Sequence, residues 1–297
     1  MKKLFLIFAV TVLSCCNAFA GGAGTTIFQI LNIPVSAYDA SLSNINIIRT
    51  QNPPLMPVDS YLFNFTQGFH FAETKYNAAL ANLPVGKNSV IGVSLVYFNY
   101  GSMPKTYSDG LGGYIEDGSF GATDKVLSLS YGLKMSKKLA GGVCVKYIKQ
   151  DIDDVSYSGF AFDVSFLYYL KKNFALGAGA ANLGSEISGY SLPSDFYLGV
   201  FGNVTKKTKL IAQLENYYND DLYDLKLAAE TGFEKLTLRA GYDFSLKKQD
   251  FFNANNGVIN NFSFGLGLNF GFLLFDYAWL PEGDLGNVHL FTVGIKI

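Results

Sequence analysis

Residues 262–270 read FSFGLGLNF and alternate strictly between two kinds of side chain. Large apolar residues occupy every second position, and serine, glycine or asparagine occupies the positions between them. Successive side chains of a β-strand point to opposite faces, so this strand has one large apolar face and one small or polar face. The alternation returns in residues 273–279 and 288–297. A small, uncharged second face is typical of the crowded interior of a closed barrel whose apolar outside meets lipid.

The same pattern extends over most of the chain. It predicts an all-β fold, a transmembrane antiparallel β-barrel of about 14 strands with an N-terminal plug-like segment. The 26 Phe, 19 Tyr and 31 Gly, with only 16% charged residues, are typical of strands with an aromatic outer belt. The predicted strands begin near Tyr61, Phe69, Ser89, Asp124, Leu139, Gly159, Phe174, Phe196, Lys209, Leu222, Leu236, Phe262, Leu273 and Val288.

The first twenty residues have the features of a secretory signal peptide. Lys2 and Lys3 precede an apolar stretch, and Ala18-Phe19-Ala20 forms a small-x-small cleavage site. Lipoprotein processing at Cys15 is an alternative, although Leu13 is bulky for such a site. The sequence therefore predicts a signal peptide at 1–20, a plug or hatch segment at 21–57 and an outer-membrane barrel at 58–297.

The segment before the barrel lacks the strand alternation. Residues 35–43 are compatible with a short helix, and the Asn52-Pro53-Pro54 run predicts a turn because proline removes backbone donors. We expect this segment to fold into or across the barrel mouth, with Asn52, Pro53 and Pro54 as the candidate hatch. A disordered N-terminal tail is the alternative.

The connections between predicted strands alternate between short and long. Short turns carry lysines, as at Lys137 and Lys171, and longer connections carry most of the acidic residues. Bacterial barrels have short periplasmic turns, so this alternation predicts a bacterial cell outer membrane location with both termini periplasmic. The predicted long connections are residues 100–123, 150–158, 184–195, 217–221, 246–259 and 280–287.

Strand parity places a set of charged residues on the inner face. A Lys or Arg on the lipid side costs about 2 to 4 kcal/mol near the midplane, so the interior is the favourable side. Two interpretations remain: the charges pair and brace the wall, or they conduct or bind a solute. The candidate lumen charges are Lys146, Asp163, Glu215, Lys226, Glu230, Arg239, Asp243 and Asp276.

Composition and motifs favour a non-enzymatic protein without a cofactor. The net charge of −1 argues against nucleic-acid binding, and His70 and His289 lack a zinc-ligand pattern. Gly265-x-Gly267 precedes no helical pattern, so it does not indicate a dinucleotide site. The acidic run at 151–154 lacks the spacing of a calcium loop and is expected to be a solvated tip. We therefore expect no catalytic, cofactor-binding or metal-binding residues.

The sequence also resembles a known family of outer-membrane barrels. Residues 264–267 (FGLG), 276–279 (DYAW), 83–86 (LPVG), 145–148 (VKYI) and 182–184 (NLG) resemble motifs of the PorV/PorQ family, which is related to FadL-type transporters. The resemblance covers nearly the whole chain after residue 20. It departs at the Val35-Ser36-Ala37-Tyr38 run, which lacks the family's arginine.

The resemblance implies a function on the outer-membrane barrel scaffold. A PorV-type protein binds partners, namely a secretion translocon and exported proteins, for type IX secretion or surface attachment. This is the first hypothesis, with the long outer loops at 100–123 and 246–259 as the binding surface. The alternative is a FadL-like passive transporter of hydrophobic small molecules, with the N-terminal segment as its hatch.

Overall fold

The computed structural model describes residues 26–70, 74–218, 222–245 and 261–297, which form a closed barrel of fourteen antiparallel strands. The predicted fold class is therefore confirmed. The strands are β1 (Leu62–Phe69), β2 (Lys75–Val85), β3 (Ser89–Ser108), β4 (Tyr114–Lys134), β5 (Leu139–Ile152), β6 (Val155–Lys171), β7 (Phe174–Leu183), β8 (Asp195–Asn203), β9 (Thr208–Tyr217), β10 (Leu222–Phe233), β11 (Leu236–Ser245), β12 (Phe262–Asn269), β13 (Leu273–Pro281) and β14 (Asn287–Lys296). The predicted signal peptide and the 246–259 connection lie outside the described residues.

The barrel closes where its first and last strands meet. β1 pairs with β14 along its whole length, from Leu62 opposite Lys296 to Phe69 opposite His289. Tyr61 N donates to Ile297 O at 2.8 Å, and Ile297 N donates to Tyr61 O at 3.0 Å. Every other strand pairs with its neighbours in sequence, so the barrel is a simple up-and-down meander. We call the end that carries residues 61 and 297 the short-turn end, and the opposite end the long-loop end.

The two faces of the wall differ as the alternation predicts. Phe65, Leu129 and Phe160 point outward and are exposed, whereas Ser128 and Ser165 point inward and are buried. The outside is therefore an apolar band suited to lipid, whereas the inside combines polar and apolar side chains. Among the described residues, none of the helices is long and apolar enough to cross a membrane.

The predicted loop at 100–123 is wrong, because β3 and β4 continue through it. Beyond Asn99, β3 no longer pairs with β2, and before Ala122, β4 does not pair with β5. The two strands therefore project past the wall as a two-stranded ribbon with a tip near Leu111. Water contacts both faces of such a ribbon, so its sequence has no reason to alternate, and the alternation signal ended at the membrane boundary.

Two further predictions need correction. The 150–158 connection is a tight turn at Asp153 and Asp154, because Ile152 pairs with Val155 and Asp153 adopts a left-handed φ of 51°. Aspartate tolerates that conformation, so an acidic cluster served as a hairpin turn rather than a long loop. The second strand begins at Lys75 rather than near Phe69, which ends the first strand.

Residues 26–57, which we call the plug, occupy the barrel interior. They contain 3-10 turns at Gln29–Asn32, Asn46–Ile48 and Pro53–Leu55 and one short helix, α1 (Ala37–Ala40). Helix α1 lies within the predicted helical stretch, and the Ser36 side chain caps it by accepting from Asp39 N at 3.1 Å. The plug descends from the long-loop end, where Thr26 pairs with Ser191, to the short-turn end.

The plug makes two apolar clusters with the inner wall. The upper cluster, at the long-loop end, joins Phe28, Ile30 and Leu31 of the plug to wall residues that include Tyr76 and Phe98. The lower cluster joins Leu42, Ile45, Ile47 and Ile48 to wall residues that include Tyr197 and Ile211. Burial of these side chains stabilises the plug inside the barrel, at about 1.5 to 3 kcal/mol for each fully buried large residue.

The two-faced wall predicts a strong penalty for a charge on its lipid side. Leu129 lies in the membrane part of β4, between Val93 and Val145, whereas Leu111 lies at the ribbon tip and is 93% exposed. Leu129→Arg should destabilise the barrel by about 2 to 4 kcal/mol, and Leu111→Arg should change stability by less than about 0.5 kcal/mol. Urea unfolding in lipid vesicles measures both; equal effects would contradict the assignment of the lipid face.

Candidate functional site

The structure places all eight predicted lumen charges on the inner face and brings each into an ion pair. The first pair joins Lys146 of β5 to Asp163 of β6, with Nζ 2.7 Å from Oδ2. Lys146 also donates to Asn182 Oδ1 at 2.7 Å, and Asn182 N donates to Asp163 Oδ1 at 2.8 Å. Asn182 has a φ of 58° at a break in the β6–β7 ladder. The carboxylate thus satisfies an amide that the irregular ladder leaves unpaired.

The second cluster holds the middle of the plug. Lys226 Nζ lies 2.7 Å from Glu215 Oε2 and 3.8 Å from Asp243 Oδ2. The amide of Asn46, a plug residue, donates to Glu215 Oε1 at 2.9 Å and to Asp195 Oδ1 at 3.2 Å. Charged acceptors make the stronger hydrogen bonds, so this corner of the wall fixes the position of the Asn46 turn.

The third cluster lies under helix α1. Arg239 donates through Nε to Glu230 Oε2 at 2.9 Å and through Nη1 to Asp276 Oδ1 at 2.6 Å. Arg239 and Asp276 lie on β11 and β13, and the strand between them carries Gly267 opposite Asp276. A Cβ at Gly267 would lie 2.7 Å from Arg239 Nη2, so the glycine leaves the space that this pair crosses. The Tyr38 ring of the plug stacks 4.6 Å from the Arg239 guanidinium.

The buried pair in the first cluster gives a stability prediction. Asp163→Asn leaves the Lys146 ammonium buried without a carboxylate and should destabilise the barrel by about 3 to 5 kcal/mol. Adding Lys146→Met removes the buried charge, so the double variant should be more stable than Asp163→Asn alone. Urea unfolding of the two single variants and the double variant measures the coupling; a double variant less stable than Asp163→Asn would contradict this account.

The predicted hatch lies against the wall near the short-turn end. Pro53 and Pro54 belong to a 3-10 turn that follows Asn52, and all three residues are buried. The turn packs on Gly132 of β4 and Gly142 of β5, which lie opposite one another. A Cβ at Gly132 would lie 2.1 Å from Pro53 O, and one at Gly142 would lie 2.3 Å from Pro53 Cβ. The two glycines therefore form the floor on which the hatch turn rests.

A methyl group added at Gly142 should push the hatch turn away from the wall. Gly142→Ala should displace the 52–56 turn and increase hydrogen exchange at Leu55 N and Met56 N, whose bonds to Asn52 O and Pro53 O hold the turn. Gly121→Ala in β4 is the control, because its Cβ would meet only Gly101 O at an ordinary 3.5 Å. Hydrogen exchange followed by mass spectrometry compares the two variants, and unchanged exchange at the hatch in Gly142→Ala would refute the contact.

A cavity of about 420 Å³ lies between the plug and the wall at the long-loop end. The plug contributes Asn32, Pro34, Ser43 and Asn44, and strands β9 to β13 with the residues that flank them contribute the rest, including Lys226 of the second cluster. Its volume is within the range of about 300 to 1,000 Å³ that small-molecule sites occupy. Polar and apolar groups both reach it, so it suits a ligand with a mixed surface.

Sequence reasoning missed several members of these clusters. Lys209 donates to Glu230 at 3.1 Å, and its parity, the same as that of Gln213, was sufficient to place it inside. Asn182 and Asp195 lie at strand ends where the alternation is weak. Asn46 belongs to the plug, whose irregular backbone has no period from which its contacts can be read.

The fold and the interior define a class: a transmembrane β-barrel whose lumen is filled by its own N-terminal segment. No protein-family model and no curated protein matches the chain. Among solved structures, the chain is similar to the Pseudomonas putida toluene transporter TodX, with 12% identity over 94% of this chain and 97% of that chain and a TM-score of 0.60. The chain is also similar to the Ralstonia pickettii toluene transporter TbuX, with 10% identity over 91% of this chain and 98% of that chain and a TM-score of 0.58.

A third similar structure is the CymD monoaromatic hydrocarbon channel, at 8% identity over 90% of this chain and 93% of that chain, with a TM-score of 0.51. At these identities the likeness concerns the fold. It supports the FadL-type part of the sequence resemblance, and the PorV/PorQ part is not shown. These three structures are of proteins named as transporters or channels.

Proposed function

We propose that this protein is a passive outer-membrane channel for small hydrophobic molecules. The observation that carries the proposal is the plug-lined cavity of about 420 Å³ at the long-loop end, adjacent to the upper apolar cluster. Leu280 of β13 belongs to both, since it lines the cavity and packs against the cluster. A solute that enters the mouth therefore meets buried apolar side chains directly below the polar rim.

The filled interior argues for a selective route rather than a water pore. Helix α1 and the Asn46 turn cross the lumen and bond to opposite parts of the wall, through Thr292 of β14 and Gln213 of β9. A solute must therefore pass between the plug and the wall, and the plug must yield. A solute with an apolar body can replace the apolar contacts that it disrupts, whereas an inorganic ion or a sugar cannot.

The location follows the same proposal. The short-turn end faces the periplasm and the long-loop end faces the outside, as the turn lengths of bacterial barrels favour. The cavity then opens on the side from which nutrients arrive. Hydrocarbon transporters and channels among the structural neighbours support this solute class through their shared fold.

The partner-binding hypothesis receives less support. One of its two binding surfaces, 100–123, is a two-stranded ribbon that continues the wall, and the other lies outside the described residues. The structural neighbours are transporters and channels, not secretion proteins, so the comparisons favour the alternative over the first hypothesis.

Uptake of radiolabelled toluene by Gram-negative cells tests the proposal. Cells that make the protein should take up toluene several-fold faster than cells with the empty vector, and equal rates would overturn it. The Ser43→Cys/Ser263→Cys variant adds a sharper test, because these hydroxyls lie 3.1 Å apart between plug and wall and a disulfide would hold the plug in place.

Oxidised cells with that variant should lose the gain in toluene uptake, and a reductant should restore it. Each single cysteine variant is the control, since neither can cross-link the plug, and native Cys144 is buried in β5. A non-reducing gel verifies the cross-link. Undiminished uptake through the cross-linked protein would exclude passage between plug and wall.

A further inference from the structure

We infer that the mouth cavity selects small amphiphiles whose head group donates hydrogen bonds and is neutral or positively charged, and that it rejects carboxylates. The inference rests on the proposed function and names its substrate class. It follows from three properties of the cavity: its charge, the ion pair that its lysine makes with a buried glutamate, and two acceptor atoms that the fold leaves unpaired.

The cavity is formally negative. Within the described ranges four charged residues line it: Asp224, Asp243, Glu282 and Lys226 carry three negative charges and one positive charge, a formal sum of −2. An anionic ligand head would enter against this charge, whereas a cationic head would be attracted to it.

The lysine does not offset this preference. Lys226 Nζ lies 2.7 Å from Glu215 Oε2 behind the cavity and donates to Tyr217 Oη at 3.1 Å. Glu215 is buried and does not line the cavity, so it balances the ammonium from the wall side. A ligand carboxylate would have to compete with this short buried pair for the same donor.

Two buried oxygens in the cavity wall have no hydrogen-bond partner within the part of the chain that the structure describes: Asn44 Oδ1 and Asp243 Oδ1. The Asn44 amide orientation is fixed, because its Nδ2 donates to the backbone oxygen of Asn32 at 2.6 Å. Both unpaired atoms are acceptors. A buried acceptor without a donor destabilises the empty cavity, so a ligand that supplies N–H or O–H groups is favoured there.

These acceptors line the same cavity, Asn44 from the plug and Asp243 from the wall. Gly241 is the inward-facing residue of β11 two positions before Asp243, and a Cβ there would lie 2.5 Å from Ser43 Oγ. Two residues along a strand span about 7 Å, so the plug turn that carries Asn44 and the Asp243 carboxyl are neighbours. Leu280, Pro34 and the Tyr217 ring supply apolar surface for the rest of the ligand.

Three probes with one aromatic body test the inference: benzylamine, benzyl alcohol and benzoate. Calorimetric titration of the protein in lipid nanodiscs at pH 7 should give the order benzylamine, benzyl alcohol, benzoate from tightest to weakest. Asp243→Asn should reduce the benzylamine preference over benzoate by roughly fivefold to tenfold. Asp154→Asn, in the exposed β5–β6 turn, is the matched control and should leave the preference unchanged.

The wild-type order alone decides the main point, so the test does not depend on the folding of a variant. Benzoate binding as tightly as benzylamine would overturn the inference, as would an unchanged preference in folded Asp243→Asn. The outcome is also separable from the proposed function. Toluene uptake without head-group selection would support the proposed channel function and contradict the inferred selectivity. Selective binding without toluene uptake would support the selectivity and contradict the channel function.

Discussion

The structure depends on the need to pair every backbone amide and carbonyl that meets hydrocarbon. An open sheet edge is not tolerated in lipid, so the fourteen strands must return to their start, and the β1–β14 ladder does so. Closure has a second consequence. A barrel of about eight strands is filled by its own side chains, and a fourteen-stranded one encloses more space than its inward side chains occupy. The plug fills that space and must be held by a polar wall.

The wall meets this requirement with several kinds of contact along the height of the lumen. Apolar residues such as Phe28 pack at the long-loop end, and hydroxyl and amide side chains such as Thr292 and Gln213 accept from plug amides at mid-height. Glycines such as Gly142 provide a flat surface near the short-turn end. Ion pairs lie between these contacts and are directed inward, where their charges find partners. The interior is thus a packed, irregular core inside a regular shell.

Most of the wall could be predicted from the sequence because each spanning strand separates two environments. Period-two alternation at β12 or β14 is what lipid on one side and the lumen on the other require, and the same parity assigns to the inner face Lys146 and Arg239, which form ion pairs. The signal is lost where the two faces have the same surroundings. The β3–β4 ribbon is in water on both sides, so its sequence does not alternate and its strands could not be predicted from period-two alternation. The plug contacts of Asn46 and Tyr38 are set by tertiary packing alone.

The course of the plug has a consequence for how the molecule assembles. The chain enters the lumen beside Ser191 at one mouth and leaves it at Tyr61 at the other, so the segment before β1 runs the full height of the barrel. Its partners are distant in sequence, since Gln213 is 166 residues from Ile47 and Thr292 is 255 residues from Ala37, and the β1–β14 seam joins the most distant strands of the chain. Such non-local pairing is slow to form. A plug that folds early would act as a template around which the strands assemble. The β1–β14 pairing would then be the last part of the sheet to form.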